Sequence, residues 1–274
     1  MTTIASRLQA VKARISEAAR VAGRAPGEIT LVAVSKTFPP KAIAEAYAAG
    51  QQAFGENYAQ EGIEKIAALF DLLRQRNASP ERPLLWHVAS PNQDDERTPG
   101  DVRPSAGVTS PEGPLLRPMV WHHIGPIQSN KTRAIAENFD WVHGIDRAKI
   151  AERLSVSRPD DKPPLQVCIQ VNVSGEASKS GVVPDAVFGL AQAIMRLPGL
   201  RLRGLMAIPE PTADTALLRS RFRMLREIRD DFLRRGVALD TLSMGMSFDL
   251  EAAIAEGATV VRVGRAIFGE RGAG

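Results

Sequence analysis

Eight short apolar segments, separated by stretches with helical periodicity, constrain this chain more than any other feature of its 274 residues. The segments fall at about 29–34, 52–54, 119–124, 141–144, 165–171, 202–207, 241–244 and 259–263. Helices are expected between them at about 40–49, 59–76, 130–139 and 147–157, from Pro184, across the arginine-rich 219–235 and at about 248–256. In the second of these, Ile63, Ile66, Phe70 and Leu73 mark the expected buried face. An opening helix carries Ile4, Leu8, Val11 and Ile15 at helical spacing, with Thr2 or Thr3 as its cap. Strict alternation of the two elements implies parallel strands, because each parallel pair needs a crossover. Eight such units in this length predict an α/β fold, a single (β/α)8 TIM-type barrel over residues 1–274 with an extra N-terminal helix. A doubly wound open sheet is the runner-up, but no G-x-G-x-x-G follows any of the strands.

One stretch breaks the pattern. Residues 77–118 are rich in Pro, Gly, Ser and Asp and read as a flexible insertion. Within it, 84–88 forms a small apolar island that carries no assigned chemistry.

Composition removes several function classes. The net charge of +4 is spread along the chain, and in 219–235 acids interleave with the arginines. That is a solvated helix face, without the clustered basic and aromatic residues of a nucleic-acid surface. No apolar run reaches the ~18 residues of a membrane span, and residues 1–20 lack a signal-peptide core. A cytoplasmic monomer is expected. The lone Cys168 lies in the apolar run VCIQV and reads as a buried small hydrophobe. His122 and His123 are adjacent on a strand and so point to opposite faces, and with His87 and His143 they show no metal-ligand spacing.

In barrels of this type the chemistry gathers where strands end. Lys36 follows the first strand in LVAVSKTFPP. Two readings fit it: a lysine that snorkels to water, or one desolvated enough to attack an aldehyde as the neutral amine. The loops after strands seven and eight, SMGMS and RVGRA, offer the hydroxyl of Ser243 and two glycines, Gly245 and Gly264. Glycine lets backbone N–H groups come close to a phosphate. Asp249 and Glu251 place the anion nearer Gly264 and Arg265. Strands one and eight are neighbours in a closed barrel, so the amine would stand beside the phosphate cradle. An aldehyde that carries a phosphate suits both, and pyridoxal 5′-phosphate (PLP) is one.

Seven blocks in this order resemble the pyridoxal-phosphate homeostasis protein family, also called YggS or PROSC. They are LVAVSKTFPP, FGENYAQE, WHHIGPIQSNKTR, NVSGEASKSG, LRGLMAIP, LSMGMSFDLEAAI and VRVGRAIFG, and together they span the chain apart from roughly 77–118. The resemblance implies a PLP-binding barrel like the N-terminal domain of alanine racemases, with a Schiff base at Lys36. It implies phosphate contacts from Ser243 and from the backbone at Gly264 and Arg265, with Asn57, Met206 and Arg262 near the cofactor. Arg262 occupies the place where racemase barrels set an arginine against the pyridine nitrogen; pairing with the phosphate is its other reading. Two departures stand out: the family usually has Thr where this chain has Arg265, and 77–118 is longer than the family pattern.

The function that follows is holding PLP for intracellular vitamin B6 homeostasis, with PLP-dependent apo-enzymes as partners and no catalytic residue assigned. The alternative is a PLP-dependent, racemase-like enzyme. Only a short tail follows strand eight, so no C-terminal β domain is expected to bring a second proton-transfer group. An aldolase barrel that forms imines with sugar phosphates, and a nucleic-acid module, rank below these.

Overall fold

A computed structural model describes residues 2–76, 118–175 and 180–270. Eight strands form a closed parallel barrel in chain order: β1 (Thr30–Val34), β2 (Ala53–Glu56), β3 (Val120–His123), β4 (Trp141–Ile145), β5 (Leu165–Gln170), β6 (Leu200–Met206), β7 (Thr241–Ser243) and β8 (Val260–Val263). Closure is made by β8 on β1, in register from Thr30↔Val260 to Ala33↔Val263. The helices are α1 (Ile4–Val21), α2 (Pro40–Ala48), α3 (Ala59–Arg76), α4 (Thr132–Asn138), α5 (Ala148–Val156), α6 (Val187–Met195), α7 (Thr215–Arg234), α8 (Leu250–Ala255) and α9 (Arg265–Phe268). The expected barrel is therefore the one found, and none of these helices is long and apolar enough to cross a membrane.

Strand alternation splits the core. Leu31, Ala33, Phe54, Trp121, Val142, Leu205, Leu242, Val261 and Val263 face outward and pack with the helices as one large cluster. Val32, Ala53 and Val260 form a separate small cluster on the inward face. This follows from the two-residue repeat of a strand, which sends neighbours to opposite faces. α1 packs against α8, α9 and α2 in the outer ring of helices. Thr3 caps it by accepting from Ser6 N, Arg7 donates to the carbonyls of Ile267 and Phe268, and Arg24 donates to Ala258 O.

Several boundaries differ from the sequence reading. β2 extends to Glu56, beyond the apolar segment at 52–54; its side chain faces α3, where the buried Lys65 bonds it. Pro184 opens a 3-10 turn, Pro184–Ala186, and the α-helix starts only at Val187. A 3-10 turn also occupies Ser129–Lys131 ahead of α4. α3 is rotated from expectation: Gly62, Lys65 and Leu69 are buried, whereas Ile63, Ile66, Phe70 and Leu73 are half-buried. Gly62 sets this rotation. A Cβ there would come 2.7 Å from Phe139 Cζ and 3.2 Å from Glu56 Cβ, so only glycine allows the helix this close. The segment 77–117, with the island at 84–88, lies outside the described residues.

Candidate functional site

The ends of β1 and β8 meet on one rim of the barrel. Lys36 lies two residues past Val34, and Gly264 one residue past Val263. A Cβ on Gly264 would stand 3.1 Å from Val34 O and 3.4 Å from Val34 Cβ, a gap that a side chain would fill. Lys36 and the Gly264–Arg265 turn are thus neighbours on that rim, as barrel closure predicts.

The turn that carries Lys36 is held from both sides. Ser35 N continues the β1–β2 ladder by donating to Gly55 O at 3.0 Å. Ser35 Oγ donates to Glu56 Oε1 at 2.6 Å. The Lys65 ammonium donates to Ser35 O at 2.7 Å and to Glu56 Oε1 at 2.9 Å, and pairs with Glu61 Oε1 at 2.6 Å. Glu61 Oε1 also accepts from Thr37 N at 2.5 Å. Thr37 has φ 67, the left-handed region that few residues other than glycine occupy. Glu56 is fully buried, and burial holds its carboxyl above the usual carboxylate range against the lowering pull of Ser35 and Lys65. Its second oxygen, Oε2, has no hydrogen-bond partner among the described residues. Neither Glu56 as a buried group nor Lys65 was singled out in the sequence. A lysine on an amphipathic helix reads as surface, and only its place on the Gly62–Leu69 stripe could have flagged it.

Inside the barrel, four side chains from four strands form a continuous polar chain. His122 Nδ1 lies 2.9 Å from His143 Nε2, and His143 Nδ1 lies 2.7 Å from Ser243 Oγ. Arg262 donates through one terminal nitrogen to Ser243 Oγ at 2.5 Å and through the other to Ala207 O at 3.0 Å. All four residues are buried. Burial pushes His122 down to about 3; His143 sits well below its ordinary value, through burial first and then the nearby His122 and Arg262. A neutral imidazole donates from one nitrogen and accepts at the other. If His143 donates to Ser243, it must accept from His122, and the reverse holds too. The proton positions of His122 and Ser243 are therefore locked together. At the other end, burial lowers the Arg262 guanidinium to about 10. Its two partners are neutral oxygens, and among the described residues no carboxylate pairs with it.

Met206 is fully buried and is the register partner of both Gln170 on β5 and Ser243 on β7, so it too lies at the upper end of the barrel interior. Asn57 is half-buried, one residue past β2, and its carbonyl lies against Gly125. Arg265 is exposed, and its guanidinium sits 5.7 Å from the ring centre of the exposed Phe248. Gly245 has φ 94 and its carbonyl accepts from Arg262 N at 2.9 Å, which ties the SMGMS loop to β8. Cys168 is buried, and burial pushes its thiol up to about 12. His123 faces outward against Phe139, and its Nδ1 has no partner among the described residues. Among the described residues no three His, Cys, Asp or Glu side chains are grouped to hold a metal ion.

Comparison with known proteins agrees with the fold. A sequence model of the family described as "Alanine racemase, N-terminal domain" matches residues 6–272. The chain is 51% identical over 271 residues to the pyridoxal phosphate homeostasis protein of Pseudomonas aeruginosa, covering 99% of this chain and 97% of that one. Among solved structures it is similar to PipY of Synechococcus elongatus with PLP bound, at 31% identity and a TM-score of 0.72, covering 97% of this chain and all of PipY. The alanine racemase of Corynebacterium glutamicum shares the fold at 16% identity and a TM-score of 0.57; this chain matches 61% of it.

Proposed function

We propose that this chain, which belongs to the pyridoxal phosphate homeostasis protein family, binds PLP at the Lys36–Gly264 rim and bonds it covalently through Lys36 Nζ. The observation that carries the reading is the buried Arg262 guanidinium, whose hydrogen bonds among the described residues go to neutral oxygens, with the Asp249 charge acting on it only from a distance, close to a glycine-lined rim and a lysine-bearing turn. A buried cation without a directly paired counter-charge is costly, and an anionic or electron-rich ligand offsets that cost. PLP supplies an aldehyde for the amine, a phosphate for the glycine turn and a pyridine nitrogen that accepts a hydrogen bond.

The residues then divide the work. Gly264 leaves room for the phosphate beside Val34, and the amides of Gly264 and Arg265 would bond it at the start of α9, where the first N–H groups of a helix have no partner within it. The Arg265 side chain, stacked toward Phe248, leaves this contact to the backbone. Ser243 can donate to the phosphate in the proton arrangement where its oxygen accepts from both Arg262 and His143. Arg262 faces the pyridine nitrogen; it cannot give that nitrogen a full proton, which keeps the bound ring a weak electron sink. Met206 and Asn57 border the ring. Such a site suits custody of the cofactor for intracellular vitamin B6 balance by one cytoplasmic barrel domain, acting as a monomer that serves PLP-dependent apo-enzymes.

The test is direct. Purified protein mixed with PLP should gain an absorbance band at about 420 nm. Borohydride followed by peptide mass mapping should place the adduct on Lys36, and Lys36→Ala should remove it. An unlabelled Lys36 overturns the reading. Steady turnover of alanine or serine, lost in Lys36→Ala, would replace it with the racemase-like alternative.

A further inference from the structure

The geometry points to Lys65, Glu56 and Glu61 as positioning residues that present the Lys36 amine to its aldehyde; this rests on the reading of Lys36 as the cofactor-bonding group. Both residues flanking Lys36 are tied to one buried ion cluster. Ser35 is held through its hydroxyl by Glu56 and through its carbonyl by Lys65, and Thr37 is held through its amide by Glu61. Lys65 reaches three different oxygens, which matches the three donors of an ammonium group. The chain therefore cannot rotate at residue 35 or 37 without breaking a charge-assisted hydrogen bond.

Stability alone is a poor account of the cluster. Lys65 is 6% exposed and Glu56 is 0% exposed, and Glu56 Oε2 has no partner among the described residues. Apolar packing would fill such a position at least as well, because desolvation offsets most of the attraction within a buried ion pair. The cluster also holds Thr37 at φ 67, a conformation that costs a β-branched residue energy and survives only where its surroundings enforce it. What it secures is the direction of one side chain, that of Lys36.

That direction matters for one step. Lys36 Nζ forms a bond to the aldehyde carbon, and the aldehyde oxygen leaves as water with both amine hydrogens. Attack on a carbonyl is sensitive to small errors of placement. Lys65→Met should therefore slow covalent PLP uptake by about tenfold or more. Pyridoxine 5′-phosphate, which has an alcohol in place of the aldehyde, cannot form that bond, and its affinity should stay within about twofold of wild type because its pocket is intact.

The experiment uses the full chain and two readouts: the rate of growth of the PLP band, and the affinity for pyridoxine 5′-phosphate by titration. Lys65→Arg, which keeps charge and donors, should recover most of the rate. Glu61→Ala removes the acceptor for Thr37 N from a side chain that is 27% exposed, so it tests the same clamp should Lys65→Met fail to fold. A wild-type rate in Glu61→Ala, or an equal loss of both ligands, overturns the positioning role. If wild type itself takes up no PLP at Lys36, the functional reading falls instead.

Discussion

His143 Nδ1 lies 2.7 Å from Ser243 Oγ, so a residue of β4 is hydrogen-bonded directly across the barrel to a residue of β7. The contact gives the upper interior a polar floor instead of the usual apolar filling, and Arg262 rests on it. Arg262, two residues before Gly264, ties that floor to the rim where β1 and β8 end.

Ser243→Ala should lower the stability of the ligand-free protein by about 1–3 kcal/mol, the cost of leaving buried polar partners unsatisfied. Removing the hydroxyl strands Arg262 on one side and His143 on the other. Urea unfolding at pH 7 measures this, and an unchanged midpoint would show that the chain His143–Ser243–Arg262 carries no stability.

Acid should unfold the protein through its histidines. His122 is held down to about 3, His123 to about 4, and His143 well below its ordinary value, all chiefly by burial. Above about pH 6.5 both folded and unfolded forms are neutral, and these groups contribute no pH dependence. Below it the unfolded chain gains protons that the folded chain refuses, and stability falls by about 1.4 kcal/mol per pH unit for each histidine. The loss continues down to each folded-state value. His123→Phe keeps the ring contact with Phe139 and removes one titrating group, so it should flatten the slope between pH 6 and 4.5 by that amount. Denaturant titrations across this range, wild type against variant, provide the check; parallel slopes would contradict it.

Cys168 should be silent to thiol reagents in the folded protein. Its thiol is buried and pushed up to about 12, so at pH 8 the reactive thiolate is scarce and shielded. Alkylation should begin only with unfolding. Rapid native-state labelling at pH 8 would mean that β5 opens locally.

Gly125→Ala should cost about 3 kcal/mol or more. A Cβ there would fall 2.1 Å from Asn57 O, a backbone atom that cannot swing aside. Because Asn57 borders the proposed cofactor ring, the loss of thermal stability should come with weaker PLP binding. A variant with unchanged melting temperature would show that the loop after β2 moves freely.

Much of this was legible in the residues. The eight apolar segments gave the barrel, because a parallel strand must be followed by a crossover. The motif order placed Lys36 and Gly264 at the ends of strands that closure makes neighbours. The polar floor was not legible. His122 and His143 are 21 residues apart and Ser243 is 100 from His143, and no periodicity links them. Lys65 escaped for a related reason. On the helix surface it looks like a solvated charge, and its burial depends on Gly62 letting α3 approach Glu56.

By itself the sequence determined the order and type of the elements and which strand ends carry an amine, a hydroxyl and a glycine turn. These follow from local patterns, since the periods of helix and strand are set over a few residues. Tertiary structure alone decided which charged groups are dry. Arg262 hydrogen-bonded to neutral oxygens and Lys65 within reach of two carboxylates are consequences of long-range packing, because the energy of a charge depends on what surrounds it in space rather than along the chain.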